Sequence, residues 1–461
     1  MAITGAFAVP HPPLIVPEVG KGKQRTIQAT VDAYEAVMQQ AAELKPDTVV
    51  IISPHSAMYS DYLHISPGKK AQGDFSQFGA AQIKAEVSYD AEFSGALADL
   101  ATKNDIPAGF LGEKDPALDH GSFIPLYFLQ KYMSRVRAVR LSLSGLSYAS
   151  HYKYGKLIAE VSRSLNRNTV LIASGDLSHY LKEDGPYGFR KQGPELDKEI
   201  TEALQTADFY RFLTIDESFA DAAGECGLRS FIIMAGALDG MSVHAQLLSY
   251  EGPFGVGYAV ASFVPTGKDP DRRFLERFEV NQLKAMQKKK SHEDPYVRLA
   301  RYALEYAVQN HQTPPLPEDV PPELLERRAG AFVSIKKEGR LRGCIGTISP
   351  TQPTVAEEII QNAVSSAVRD YRFDPVEPRE LEQLTYSVDV LGEPRPISSI
   401  SELDVKRYGV IVTAGMKRGL LLPDLDGVDT PAQQVEIALE KANIHPDEDY
   451  TMERFEVIRH V

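Results

Sequence analysis

A run of four β-branched residues, Val49, Val50, Ile51 and Ile52, most restricts what this chain can fold into. It is too short for a helix and too uniformly apolar for a half-exposed strand, so it reads as a strand buried on both faces. Such strands belong to parallel α/β sheets whose two faces are covered by helices. The run stops at Ser53-Pro54, and His55 follows at once. Ligands of open α/β sheets bind just beyond the carboxyl ends of the strands, which puts His55 where chemistry is usually done. The arrangement occurs twice, since the apolar strand Ile3–Val9 is followed by Pro10, His11, Pro12 and Pro13.

Strand and helix patterns keep alternating after the first strand. A helix is expected over 21–44, ended by Lys45-Pro46, then strands over 62–66 and 85–89, a helix over 91–102, a strand over 138–143 and a helix over 151–165. Another buried strand covers 169–173, followed by helices over 195–206 and 228–238 and closing strands over 243–250 and 258–264. The composition turns polar at Pro265, and 266–292 reads as a charged linker with one weakly amphipathic helix. A second unit, 293–461, has a helix over 297–308, a hairpin over 331–336 and 341–347, helices Val355–Val368 and Pro431–Ala442, and strands at Leu384–Leu391, 409–413, 420–422 and 454–458. The expected fold is therefore α/β: a mainly parallel sheet flanked by helices over 1–265, then a smaller α+β domain.

With 461 residues the chain exceeds one ordinary core. A net charge of −13 argues against nucleic-acid binding and against docking on anionic lipid. No apolar run reaches the roughly 20 residues needed to cross a bilayer, and the N-terminus lacks the pattern of a signal peptide. Two distant cysteines, Cys226 and Cys344, build no disulfide framework, so a reducing cytoplasm is expected.

Further polar groups collect at strand ends and loops of the first domain. Asp119-His120-Gly121 precedes an apolar stretch, Asp176 and His179 follow the buried strand at 169–173, and Glu225 and Cys226 stand just ahead of an apolar helix that carries Arg229 in its first turn. Two histidines and a carboxylate make the facial triad that holds non-haem Fe(II) with positions left open. Imidazoles beyond a metal's needs suit acid/base work near neutral pH. His64, His151 and His244 sit in less telling contexts and read as structural.

The order VPHPP, SPHS, DHGSF, GDLSHY and GECGLRS resembles the LigB-type class III extradiol dioxygenases and, equally, their relatives the Memo proteins, over about residues 1–265. The resemblance implies that His11, His55 and Glu225 hold Fe(2+), with zinc the alternative metal. His179 would be the principal acid/base, and His120 a second histidine contacting substrate or oxygen. In the Memo branch a cysteine is the third metal-site residue, which makes Cys226 the alternative to Glu225. Asp176 would orient a histidine or help hold the metal. The implied reactants are dioxygen and a phenolic or catechol-like small molecule whose ring is split next to the diol.

LRGCIG, residues 341–346, puts an arginine, a cysteine and two glycines on one expected strand. Glycine within a strand marks a bulge or close approach, and an arginine beside a cysteine can lower its pKa. With RDYRFDPV and RGLLLP, this string resembles the AMMECR domain over 293–461, and the whole chain is similar to the AmmeMemoRadiSam system protein A family. That family name implies a radical SAM partner. Arg342 and Cys344 enter as candidate site residues, and Arg229 as a further one. Three readings follow: a non-haem iron oxidoreductase, a metal-holding recognition module for a partner enzyme or peptide, and a zinc hydrolase that activates water. The number of chains in an assembly is not legible in the sequence.

Overall fold

A computed structural model describes residues 3–114, 116–337, 339–425 and 427–461. The chain divides into two compact units, Met1–Asn281 and Gln282–Val461.

The first unit is built on an eight-stranded sheet. Its strands are β1 (Ile3–Val9), β2 (Thr48–Ile52), β3 (Lys70–Phe75), β4 (Ala80–Tyr89), β5 (Arg137–Leu141), β6 (Thr169–Ser174), β7 (Met241–Glu251) and β8 (Tyr258–Lys268), in the spatial order β3-β4-β5-β2-β6-β1-β8-β7. The five neighbours β4, β5, β2, β6 and β1 run parallel. Antiparallel β3 closes one side, and β8 and β7 extend the other.

Side chains alternate across a pleated sheet, and here both faces are dry. Val50 and Ile52 of β2 join Leu171 and Ala173 of β6 in one apolar cluster, whereas Val49 and Ile51 join Val170 and Ile172 in the other. Helices α1 (Gln28–Glu43) and, further on, α3 (His120–Leu129) pack on the second cluster through Tyr34, Val37, Phe123 and Ile124. Helices α2 (Ala91–Lys103), α4 (Tyr148–Ser164) and α6 (Leu228–Ala237) cover the first through Phe93, Tyr152, Ile158 and Phe231; α5 (Gln192–Thr206) adds Leu196 and Ile200. Each such fully buried large side chain stabilises the fold by roughly 1.5–3 kcal/mol.

Three differences from the sequence reading have local causes. The helix expected from residue 21 begins at Gln28, because Lys21 and Gly22 adopt left-handed conformations and leave short turns behind them. The segment at 119–121 is no loop: Asp119 accepts from the Ser122 N–H and caps α3, so His120 is the first helical residue. The helix expected within the charged stretch 266–292 is α7 (Phe274–His292), and the difference is that its Phe274 and Leu275 are buried in the first unit's core.

In the second unit an antiparallel seven-stranded sheet comprises β9 (Ala331–Lys337), β10 (Arg340–Gly346), β11 (Leu384–Leu391), β12 (Arg395–Ile397), β13 (Tyr408–Ala414), β14 (Lys417–Leu421) and β15 (Thr451–His460). The path is β10-β9-β11-β15-β13-β14, with β12 on β15. Helices α8 (Pro295–Asn310) and α9 (Val355–Val368) enclose one core with β9 and β11, and α10 (Pro431–Ala442) packs on β13 and β14 in another. Among the described residues no helix is long and apolar enough to cross a membrane.

One buried acid tunes stability without touching the strand-end histidines. Asp197 of α5 accepts from the Ser178 N–H at 2.8 Å and the Tyr250 hydroxyl at 2.7 Å, and burial raises its pKa to about 7. A carboxyl whose folded pKa lies above its unfolded value favours folding while neutral. Stability should therefore fall as pH rises from about 4 to about 7. Asp197→Asn should remove up to about 4 kcal/mol of that decline, read from urea midpoints of both proteins across the window. Equal slopes would refute the assignment.

Candidate metal centre

The parallel strands β2, β6 and β1 are adjacent, so their carboxyl ends share one edge of the sheet. His55 follows β2, Asp176 and His179 follow β6, and His11 follows β1. The loop before α6 adds Cys226, and the first turn of α3 adds His120.

His11 is held from both ends. Its N–H donates to Asp176 Oδ1 at 2.8 Å, and its Nδ1 lies 2.9 Å from Ser174 Oγ, leaving Nε2 directed inward. That Nε2 is 2.9 Å from His55 Nε2 and 3.6 Å from Cys226 Sγ. The three donor atoms all lie within 4.8 Å of one another. Bonds of about 2.1 Å to nitrogen and 2.3 Å to sulfur place neighbouring donors roughly 3.0–3.7 Å apart around one ion. The 3.6 Å separation falls within that spacing and the 2.9 Å one lies just below it, and the Ser174 contact is the kind of outer partner that fixes a ligand's tautomer. The donor set therefore fits a metal.

Glu225, the sequence's first choice as third ligand, is not part of this group. Its Oε2 accepts from the Leu228 N–H at 2.5 Å, so it caps α6, and burial raises its pKa to about 7. Cys226, the alternative, takes the position. Gly175 and Gly227 make this possible: a Cβ on Gly175 would stand 2.1 Å from Gly227 Cα. Only bare backbones let the two loops meet, and there the Cys226 N–H donates to Asp176 O at 3.3 Å and the Asp176 N–H to Cys226 Sγ at 3.3 Å.

His120 and His179 complete a ring of imidazoles. The His120 ring centroid is 4.0 Å from that of His55 and 5.2 Å from that of His11, and His179 stacks on Tyr187 at 5.2 Å. Burial lowers all four histidine pKa values, to about 3 for His11 and about 4 for His120. Neutral imidazoles offer lone pairs, as ligation or proton acceptance requires. Burial conversely raises Asp176 to about 6 and pushes the Cys226 thiol up. Asp176 Oδ2 lies 4.0 Å from His11 Nε2, so its placement suits orienting that ring. The histidines open into a cleft of about 710 Å³ walled by Pro12, Pro13, Tyr187, Phe254 and Tyr258.

Arg229 does not line this cleft; it pairs with Glu217 at 3.1 Å and lies over the Tyr148 ring. In the second unit Arg342 makes four hydrogen bonds, two to Glu380 and one each to Asp374 O and Pro375 O, a structural tie between β10 and the following loops. His64 and His151 are buried and bonded to the carbonyls of Leu111 and Ser147.

The sequence reading missed Asp119 as a brace. Its carboxylate accepts from Ser53 Oγ at 2.5 Å, Ser56 Oγ at 2.8 Å, and Ser122 Oγ and N–H at 2.8 and 2.9 Å, with Arg140 Nη1 at 3.7 Å. It thereby joins the segment carrying His55 to the helix carrying His120. Burial opposes its ionisation, but the hydroxyls of Ser53, Ser56 and Ser122 outweigh it and hold the pKa below the usual carboxylate range. The legible signal was an aspartate ahead of an apolar run, the pattern of a helix cap.

Two family models agree with this architecture. Residues 5–261 match the family described as the catalytic LigB subunit of aromatic ring-opening dioxygenase, and 297–460 match AMMECR1. Protein CA_C1420 of Clostridium acetobutylicum is 41% identical over 469 residues, covering 100% of this chain and 99% of that one. A Thermotoga maritima protein is 50% identical over 170 residues, 36% of this chain and 98% of its own. Among solved structures, the Pyrococcus horikoshii protein PH0010 matches with a TM-score of 0.34 and 33% identity, over 36% of this chain and 88% of that one. The Escherichia coli protein JW3007 matches with a TM-score of 0.37 and 16% identity, over 57% and 99%. A LigB-type domain followed by an AMMECR1 domain, with a relative aligned from end to end, establishes that this chain belongs to the AmmeMemoRadiSam system protein A family.

Proposed function

We propose that the first unit is a metal-dependent, dioxygenase-like oxidoreductase acting on a phenolic or catechol-like small molecule. The observation that carries this reading is the convergence of His11, His55 and Cys226, two of which, His11 and His55, line a cleft that also exposes His120 and His179. Ferrous iron held there would supply the redox chemistry that splits a ring bond with dioxygen. His179, neutral and stacked on Tyr187, would take a hydroxyl proton from the substrate on a ring nitrogen. His120 supports the same face of the substrate, and Asp176 orients His11 through its backbone N–H. Pro12, Pro13, Tyr187, Phe254 and Tyr258 would flank the bound ring. A radical SAM enzyme would supply or consume the small molecule.

Cys226 favours a second reading. Thiolate with imidazole suits zinc at least as well as iron, and a zinc-holding fold would recognise a peptide or partner enzyme without ring cleavage.

The two readings separate on one preparation. Protein purified without oxygen should carry about one iron per chain, and a catechol should then trigger oxygen uptake that His179→Ala lowers by about 10²–10⁴-fold. Zinc in place of iron, with no uptake for any catechol, would overturn the oxidoreductase reading.

A further inference from the structure

We propose that Cys344 and three surrounding cations, Arg372, Arg459 and Lys441, form a second binding site, for a small molecule bearing a carboxylate or phosphate group. The site lies wholly within the second unit and is independent of the centre described above.

Cys344 sits on β10 opposite Ser334 of β9, whose Oγ donates to its Sγ at 3.1 Å. Its backbone is fixed on both sides: the N–H donates to Asp370 Oδ2 at 2.9 Å, and the carbonyl accepts from Arg372 Nη2 at 3.1 Å. The thiol remains partly exposed. Unlike Arg342, the cations around it are only half used. Arg372 grips Asp370 through Nε and Nη2 at 2.9 and 2.7 Å. Arg459 grips Asp389 through the same two nitrogens at 2.8 and 3.1 Å. Both carboxylates are buried, whereas both guanidiniums reach solvent. One edge of each guanidinium is thus locked from below, and the Nη1 groups have no acceptor among the described residues. Lys441, in the last turn of α10, likewise has none.

These groups act on one another electrostatically. Lys441 feels both Cys344 and Arg372, and Arg459 feels Cys344. Arg459 also feels Asp424, which pairs with Lys406 at 2.8 Å, so four cations (Arg372, Arg459, Lys441 and Lys406) stand against three carboxylates (Asp370, Asp389 and Asp424) in a chain of net charge −13. Tyr371, 95% exposed beside Arg372, offers a ring face to the organic part of a ligand. Pre-locked guanidiniums suit oxyanions because their fork geometry loses little freedom on binding. Burial raises the Cys344 pKa while Ser334 and Arg372 pull it back, so the thiol serves as a reporter next to the anion as well as a neutral contact to it.

The test compares iodoacetate with iodoacetamide on the full chain, with peptide mapping to separate Cys344 from Cys226. In either reaction the thiolate displaces iodide and its proton passes to the buffer. The anionic reagent should be favoured at Cys344 about 10-fold over its ratio with free cysteine in the same buffer. Pyrophosphate should slow the reaction, Lys441→Ala should bring the ratio close to that of free cysteine, and Lys441→Arg should keep it raised. A wild-type ratio no higher than that of free cysteine, or one that Lys441→Ala leaves unchanged, would overturn the proposal. Lys441 is exposed, so its loss leaves the fold intact.

Discussion

Cys226→Ala should lower the metal content of anaerobically purified protein by about 100-fold or more, while Glu225→Gln leaves it unchanged. The magnitude follows from the cost of disturbing outer partners of metal ligands, which already reaches about 10–100-fold in affinity; losing a donor costs at least as much. The contrast between neighbours follows from direction. Cys226 Sγ faces His11 Nε2 at 3.6 Å, whereas Glu225 turns to the Leu228 N–H. A glutamine oxygen can still accept that bond, so the variant should fold. Metal analysis of both purified variants decides the matter. Metal retained without the thiol and lost with Glu225→Gln would reverse the assignment of the third ligand.

Asp119→Ala should cost about 3–5 kcal/mol of stability, the range for removing one member of a buried ion pair. Arg140 would lose its carboxylate neighbour, and the hydroxyls of Ser53, Ser56 and Ser122 their shared acceptor. Ser53 and Ser56 flank His55, so metal content should fall together with the urea midpoint. Asp119→Asn should lose less, since an amide oxygen can still accept some of these bonds. Because the folded pKa of Asp119 is depressed, its contribution is complete above about pH 4 and is lost as pH falls through the lower folded value. Glu35→Ala, at a partly exposed pair with Lys131, should cost no more than about 1 kcal/mol. Similar losses for the two alanine variants would remove Asp119 from its bracing role.

Much of the first unit was legible because local patterns carry it. Buried runs at Thr48–Ile52 and Thr169–Ser174 announce strands covered on both faces, and proline-flanked histidines behind two strands announce a strand-end site. In the second unit the bounds of Val355–Val368 and Pro431–Ala442 were readable because a threonine cap precedes each and closes a capping box. The reading of 119–121 as a loop failed because a cap and a loop share the same polar residues; only the N–H groups that Asp119 accepts distinguish them.

By itself, then, the sequence determined the α/β alternation and named the candidate histidines, since periodicity, charge and turn chemistry are properties of neighbouring residues. Tertiary structure decided which of two consecutive side chains, Glu225 or Cys226, meets His11. That choice depends on the approach of Gly175 to Gly227, two backbones far apart along the chain that come together once β6 lies between β2 and β1. It also decided that Arg342 is consumed by Glu380 while Arg372 and Arg459 keep free edges beside Cys344. A side chain's partners across the fold are fixed by packing, and no local pattern encodes them.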